Sequence, residues 1–353
     1  MSDFQWMIYG ATGRSGQRIA RKAVAQGLRP ILAGRNEQGV RKIAEELNLA
    51  WRVFELGERS KFKREVSQVK LLVNAAGPLR QTSVLVAELC LATNTHYLDL
   101  SNQVPSLVAI YTLDAQAKEK NLTLLPGLAF SPAASNCLIQ HLHTLLPGAD
   151  ALDIVLEPFM ETHCTDAKLT FIESIAEDGF RRRGGVLERY WTGNGTEFAL
   201  PNGIRRMHLA AVGDTEAAYR CTSIPNIETY VPADIGLFSN PNQTAREPAL
   251  RSLLSRSGTK MGNRADQQML PPKHSMVWAR ISKRGQSSVE GWLQCGEGHE
   301  FTTAVVIAGV SRLLGNEGSR GAHTPASAFG TDFILDLPNV ERTVLSVEQR
   351  TGG

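Results

Sequence analysis

Gln5-Trp6-Met7-Ile8-Tyr9-Gly10-Ala11-Thr12-Gly13-Arg14-Ser15-Gly16-Gln17 is the stretch on which the fold of this chain turns. A short apolar run meets three glycines at G-x-x-G-x-x-G spacing, and an amphipathic stretch, Gln17 to Ala25, follows at once. Strand, glycine turn and helix in that order form the first unit of a parallel sheet flanked by helices. Glycines there let the chain turn tightly, let backbone amides approach an anion without a Cβ between them, and let the helix pack close to the sheet. The helix start adds partial positive charge. Gly10, Ala11, Thr12, Gly13, Arg14, Ser15 and Gly16 are therefore the candidate cradle of a dinucleotide diphosphate.

The same alternation continues outward. Strands are expected at Gln5 to Tyr9, Arg29 to Ala33, Trp51 to Leu56, Lys70 to Ala75, His96 to Asp99 and Thr123 to Leu125. Helices are expected at Gln17 to Ala25, Gln38 to Leu47, Arg59 to Val66, Ser83 to Ala92 and Ser106 to Lys120. That is an α/β, doubly wound Rossmann domain. Around Pro126, Gly127 and Pro132 the alternation stops. A helix from Ala133 to Leu146, a strand from Leu152 to Leu156, a helix around Lys168 to Glu177 and a hairpin of Ser275 to Ile281 with Val289 to Gln294 describe an α+β second domain. Lys283, Arg284 and Gly285 are its turn. The expected division is a Rossmann domain over 1–129, completed by about 302–353, and a substrate or dimerisation domain over 130–301. The helix Thr302 to Leu314, the loop Gly315 to Pro325 and the segment Ala326 to Leu337 make up most of the returning tail.

Composition agrees with this plan and narrows it. At 353 residues the chain exceeds what one core of roughly 250 to 300 residues holds, so two domains are expected. With 42% hydrophobic and 21% charged residues, no stretch approaches the roughly 18 apolar residues of a membrane span. The start of the chain has no secretory signature, and five scattered cysteines form no C-x-x-C pair, which fits free thiols and a cytoplasmic location. Thirty-eight basic residues against 35 acidic ones leave no field suited to nucleic acid. The expected partner is a small-molecule or carrier-bound substrate.

The end of the second strand selects the cofactor. An NAD enzyme places an acid about 20 residues beyond the glycines to hold the ribose 2′-hydroxyl. Here that place reads Ala33-Gly34-Arg35-Asn36. A guanidinium matches a 2′-phosphate in charge and geometry, and one charge-assisted hydrogen bond is worth about 1.5 to 3 kcal/mol. Arg35 and Asn36 thus point to NADP (NADPH); the alternative for Arg35 is a role at the start of the next helix. The fourth strand ends in small residues, Ala75, Ala76, Gly77 and Pro78, at the sheet edge where nucleotides rest, and the fifth ends in Tyr97, Asp99 and Ser101 on that edge.

With Gly10 to Gly16, Ala33 to Asn36, Asn74 to Pro78 and His96-Tyr97-Leu98-Asp99-Leu100-Ser101 in order, the sequence resembles the saccharopine dehydrogenase-like oxidoreductases. Pro126 to Pro132 resembles that family's domain junction, Ser223 to Val231 its mid-domain strand and Thr324 to Gly330 its C-terminal motif, so the resemblance spans nearly the whole chain. It implies NAD(P) chemistry on a C=N, C=C or C=O bond, and it includes trans-acting enoyl reductases as well as enzymes of amino-acid C–N bonds. One departure is Leu128-Ala129-Phe130, where many relatives carry an Asp after Pro-Gly. A noncatalytic NADP-binding sensor or scaffold is the alternative from another class.

Hydride transfer belongs to the cofactor, which leaves the protein to orient the ring and manage one proton. Tyr97 and Asp99 are the candidates for that proton, with Ser131 and Asn136 behind them; packing for Tyr97 and a helix cap for Asp99 are the alternatives. No metal site is expected: His141 and His143 stand two apart on a helix and face different ways, and His163 with Cys164, or Cys295 with His299, completes no ligand set. Arg181-Arg182-Arg183 either receives an acidic or carrier-borne group or forms a solvated face. The apolar face of Thr302 to Leu314 serves either as core or as the contact of a homodimer.

Overall fold

A computed structural model of the chain describes residues 6–158, 179–190, 195–232, 274–283, 287–345 and 348–349. The helix expected over Lys168 to Glu177, the pair His163 and Cys164, and the turn residues Arg284 and Gly285 lie outside the described residues.

All six expected strands of the first sheet are present: β1 Trp6–Tyr9, β2 Ile31–Gly34, β3 Trp51–Val53, β4 Leu71–Asn74, β5 His96–Asp99 and β6 Thr123–Leu125. A two-residue strand, β15 Gly321–Ala322, falls in the segment expected as loop and pairs in parallel with β6. The order is β15-β6-β5-β4-β1-β2-β3, and every pairing is parallel. Helices cover both faces, so β1 and β4 are buried throughout, which is why they read as continuous apolar runs and not as alternating ones.

The helices between them are α1 Arg14–Ala25, α2 Glu37–Leu47, α3 Arg59–Val66, α4 Leu79–Ala92, α5 Val104–Tyr111 and α6 Asp114–Glu119. Four begin earlier than the apolar pattern indicates, α1 and α4 by three and four residues. The Gln17 amide bonds the Gly13 carbonyl at 2.9 Å and the Gln81 amide bonds the Pro78 carbonyl at 2.9 Å, so each first turn is closed by backbone alone. The single helix expected over Ser106 to Lys120 is two, and between them the Thr112 hydroxyl bonds the Ala109 carbonyl at 2.6 Å.

Helix α7, Phe130–Leu145, leaves the first sheet and packs on the second. That second sheet is built from β7 Ala151–Glu157, β8 Gly179–Arg183, β9 Val186–Tyr190, β10 Thr196–Leu200, β11 Gly203–Leu209, β12 Asn226–Pro232, β13 Ser275–Lys283 and β14 Ser287–Cys295. It is mixed: β12 and β7 run parallel, while β13 pairs antiparallel with both β7 and β14. Helix α8, Asp214–Thr222, lies against α7 and β12. The tail serves both halves. Helix α9, Gly298–Leu314, and α10, Pro325–Phe329, stay with the first sheet and α7, whereas β16 Glu341–Val344 and β17 Glu348–Gln349 pair with β14 of the second sheet. The return to the Rossmann domain therefore ends before Glu341, because β14 offers a free edge there.

One apolar cluster runs through both halves, from Ile8 and Ile19 through Leu128, Phe130 and Leu138 to Ile154 and Val277. The two domains share a core along α7.

Candidate active site

The glycine turn is shaped by two backbone approaches. Gly10 has φ +88°, and a Cβ there would stand 2.4 Å from the Ala76 amide nitrogen; a Cβ on Gly16 would stand 2.3 Å from the Gly10 carbonyl oxygen. No side chain fits at either place, so the turn after β1 and the loop after β4 touch backbone to backbone. Gly13 precedes α1 without capping it by a side chain, and the first turn carries no acid. The amides of Arg14, Ser15 and Gly16 have no acceptor among the described residues. An uncapped helix start beside a glycine turn is a site for a diphosphate. Arg14 is exposed at its rim.

Helix α2 starts differently. The Asn36 Oδ1 accepts the Gly39 amide at 3.0 Å, so Asn36 is committed as a cap. Arg35 beside it is exposed and makes no hydrogen bond or ion pair among the described residues. Its charge is felt by Tyr9, whose phenol burial pushes up to about 12 against the opposing pull of Arg35. A free guanidinium at the end of β2, with no acid from Ala33 to Asn36, fits a 2′-phosphate.

The loop after β4 is held from beneath. The Ala76 amide donates to Asn74 Oδ1 at 3.1 Å and the Thr82 hydroxyl donates to the Ala76 carbonyl at 2.7 Å. Ala75 and Ala76 are half-buried, while Gly77 and Pro78 are exposed. Tyr97, Asp99 and Ser101, expected on this edge, are fully buried. The Tyr97 hydroxyl donates to Asp99 Oδ2 at 2.6 Å, and the other carboxylate oxygen accepts the Ser101 amide at 2.9 Å, the Ser101 hydroxyl at 2.7 Å and the Gly127 amide at 2.9 Å. Burial, and then the Asp99 charge, holds the phenol well above its ordinary range. These side chains tie the end of β5 to the loop after β6. That is the geometry of a scaffold and not of an exposed proton donor.

A second cluster stands beside it. Asp214, at the start of α8, is fully buried; Ser131 donates to it at 2.9 Å and Ser135 at 2.5 Å. The Asn102 amide donates to Ser131 Oγ at 2.8 Å, and the Asn102 side-chain oxygen accepts the Gly213 amide at 2.8 Å. Ser131 carries a faint sequence signal from its place at the junction. Asp214 lies 83 residues further on, so no local pattern pairs them. Asn136, named with Ser131, is buried and joins three helices, accepting the Ala326 amide at 3.0 Å and donating to the Ala217 carbonyl at 3.2 Å.

Helix α9 also reaches this edge. Its residue Thr302 accepts the Phe130 amide at 3.0 Å just beyond β6, whereas Ser319, past its far end, accepts from Thr123 at the start of β6. The α9 start therefore lies at the carboxyl ends of the strands. Glu297 caps it through the Glu300 amide at 2.8 Å and stands 3.8 Å from Arg18 of α1. His299 follows; burial holds its imidazole below the ordinary range, Glu297 opposes, and Arg18 and Arg14 add to the lowering.

The arginine run is spent. Arg181 pairs with Glu188 at 2.6 Å and Glu228 at 3.4 Å and lies over the Tyr190 ring. Arg182 pairs with Glu216 at 2.5 Å and lies over Tyr219. Two of the three guanidinia are thus paired with carboxylates, so of the two readings of the run, reception of an acidic or carrier-borne group has the weaker support. Among the described residues no group of His, Cys, Asp and Glu is placed to hold a metal, and no helix is long and apolar enough to cross a membrane.

Residues 6–125 match the family model described as the saccharopine dehydrogenase NADP binding domain. No curated protein matches the chain. Among solved structures, the apo saccharopine dehydrogenase (L-Glu forming) of Saccharomyces cerevisiae is 12% identical, with 97% of this chain and all of that one covered at a TM-score of 0.62. A dehydrogenase (MviM) of Clostridium difficile is 9% identical at a TM-score of 0.43, covering 95% of this chain and 96% of that one. The first of these likenesses shows a shared fold over both domains.

Proposed function

We propose, from the match of residues 6–125 to the saccharopine dehydrogenase NADP binding domain, that the chain is an NADP-dependent oxidoreductase that reduces a C=N, C=C or C=O bond of a small-molecule substrate. The observation that carries the cofactor half is the pairing of an uncapped α1 start with the unpaired Arg35. Arg14, Ser15 and Gly16 amides hold the diphosphate, Arg35 holds the 2′-phosphate, and Ala75 to Pro78 form the wall between them. NADPH, when bound, supplies a hydride from its nicotinamide ring. The buried network of Tyr97, Asp99 and Ser101 fixes the loops on which the ring rests. The starts of α7, α8 and α9 close the far side of the cleft and exclude water from the reacting bond.

Titration with NADPH and NADH, followed by nicotinamide fluorescence, tests this reading. Arg35→Asp is expected to weaken NADPH about 10- to 100-fold while leaving NADH unchanged or tighter. An equal loss for both cofactors would remove the 2′-phosphate from Arg35. Absence of binding by either would end the oxidoreductase reading. A screen of imines, ketones and enoyl thioesters for NADPH oxidation then finds the substrate class.

A further inference from the structure

A reduction needs a proton as well as a hydride, and Tyr97 and Asp99 are sealed from the cleft. The groups that remain on this edge and can release a proton include the cluster of Asn102, Ser131, Ser135 and Asp214. It joins three elements that meet at the carboxyl end of the first sheet: the loop after β5, the first turn of α7 beyond β6, and the first residue of α8. Resting on the reductase reading, we propose that Ser131 hands a proton to the substrate atom beside the one that receives hydride, and that Asp214 replaces it.

The hydrogen-bond order permits this. With Asp214 ionised, Ser131 Oγ receives the Asn102 amide and points its own hydrogen at Asp214 Oδ2. Ser131 retains 8% of its surface and Asn102 is half-buried, so whatever surface the cluster exposes belongs to these two and none to Asp214 or Ser135. Ser135 lies 2.5 Å from the other carboxylate oxygen and 3.5 Å from the Pro132 carbonyl. A proton carried on Asp214 Oδ2 is donated to Ser131 Oγ, whose own hydrogen then turns from Asp214 toward the substrate, while Ser135 keeps its bond to the other carboxylate oxygen. Both states of the carboxyl are thereby accommodated without an orphaned donor.

Surrounding charges leave the acid alone. Burial pushes the Asp214 carboxyl up to about 6, opposed by hydrogen bonds from Ser135, Ser131, its own backbone and Asn102. On the elements packed against it, Arg182 of β8 is paired with Glu216, Arg181 with Glu228 of β12, and Arg220 with Asp114. The Tyr111 phenol of α5 and the Cys137 and Cys221 thiols are held up by burial and stay neutral. His141 and His143 stand toward the other end of α7.

The step balances simply. Hydride and its electron pair go to one atom of the double bond, and the π electrons of that bond take the Ser131 proton at the other. The Ser131 oxygen recovers a proton from Asp214, and one solvent proton restores Asp214 after product leaves. The cofactor is oxidised and the substrate reduced by two electrons.

Two measurements test the proposal. Infrared titration of the parent against Asp214→Asn is expected to show a protonated-carboxyl C=O band that disappears as pH rises through about 6. A band absent from the parent down to the acid limit of stability would overturn it. With the compound found to oxidise NADPH in the substrate screen, Ser131→Ala and Asp214→Asn are expected to bind NADPH as the parent does and to turn over about 100-fold more slowly. The parent rate falls above the same pH, and the Asp214→Asn rate loses that dependence. A parent-like rate and pH profile in either variant overturns the proposal and leaves the reductase reading standing; NADPH binding without turnover in the parent overturns both.

Discussion

Asp99 shows how a single buried carboxylate can organise a cleft edge without entering it. Four donors converge on its two oxygens, three of them from the loops after β5 and β6, so losing one donor leaves charge uncompensated in a dry place. Tyr97→Phe removes the donor at 2.6 Å while keeping the ring's volume. It is expected to lower unfolding free energy by about 1 to 3 kcal/mol, read from urea transitions, with kcat changed less than threefold. A loss of kcat by orders of magnitude at unchanged stability would return Tyr97 to the chemistry. At this scale the sequence reveals types and order, since Gly10, Gly16 and Arg35 each announce a role through what they lack or carry. Burial is a tertiary property, which is why Tyr97 and Asp99 look identical on paper whether they face the cleft or the core.

Helix α8 owes its place to contacts that no periodicity records. Its residue Glu216 and Arg182 of β8 are nearly enclosed, with side chains 9% and 10% exposed, and Arg182 also stacks on Tyr219 of the same helix. A charge pair at such depth contributes little over an apolar pair, but half of it alone is costly. Glu216→Gln is therefore expected to destabilise by about 3 to 5 kcal/mol, and the double change of Glu216 to Gln with Arg182 to Met to recover much of that in thermal unfolding. Additive losses would mean that the two do not act as a pair. The run of three arginines was readable as a cationic patch, and its partners are what the sequence hides: Glu188 stands seven residues away, Glu216 and Glu228 much further. Elements of the first sheet were legible because burial on both faces leaves continuous apolar runs, whereas the starts of α1 and α4 were not, because Arg14 to Gly16 and Leu79 to Thr82 carry no apolar stripe and close on backbone carbonyls.

Across the whole molecule fully buried Asp214 and half-buried His96 oppose each other as pH changes. Asp214 keeps its proton up to about 6, while an unfolded Asp releases it near 3.8. Between those values the folded state binds the extra proton, so this group's contribution falls as pH rises. His96 does the reverse. Its Nδ1 accepts the Thr123 amide at 2.9 Å, and burial, with Arg320 adding, lowers it to about 4 from 6.5. Between those values the unfolded state binds the extra proton, so this contribution rises with pH. The two windows nearly coincide, and in the parent their slopes largely cancel. Removing one exposes the other. The stability of Asp214→Asn relative to the parent is expected to climb by roughly 3 kcal/mol from pH 4 to pH 7, and that of His96→Gln relative to the parent to decline over the same range. Urea unfolding at half-unit pH steps reads both differences. Parallel curves for Asp214→Asn and the parent would mean that Asp214 titrates alike in both states and holds no proton inside the fold, a result that would also deprive Ser131 of its source.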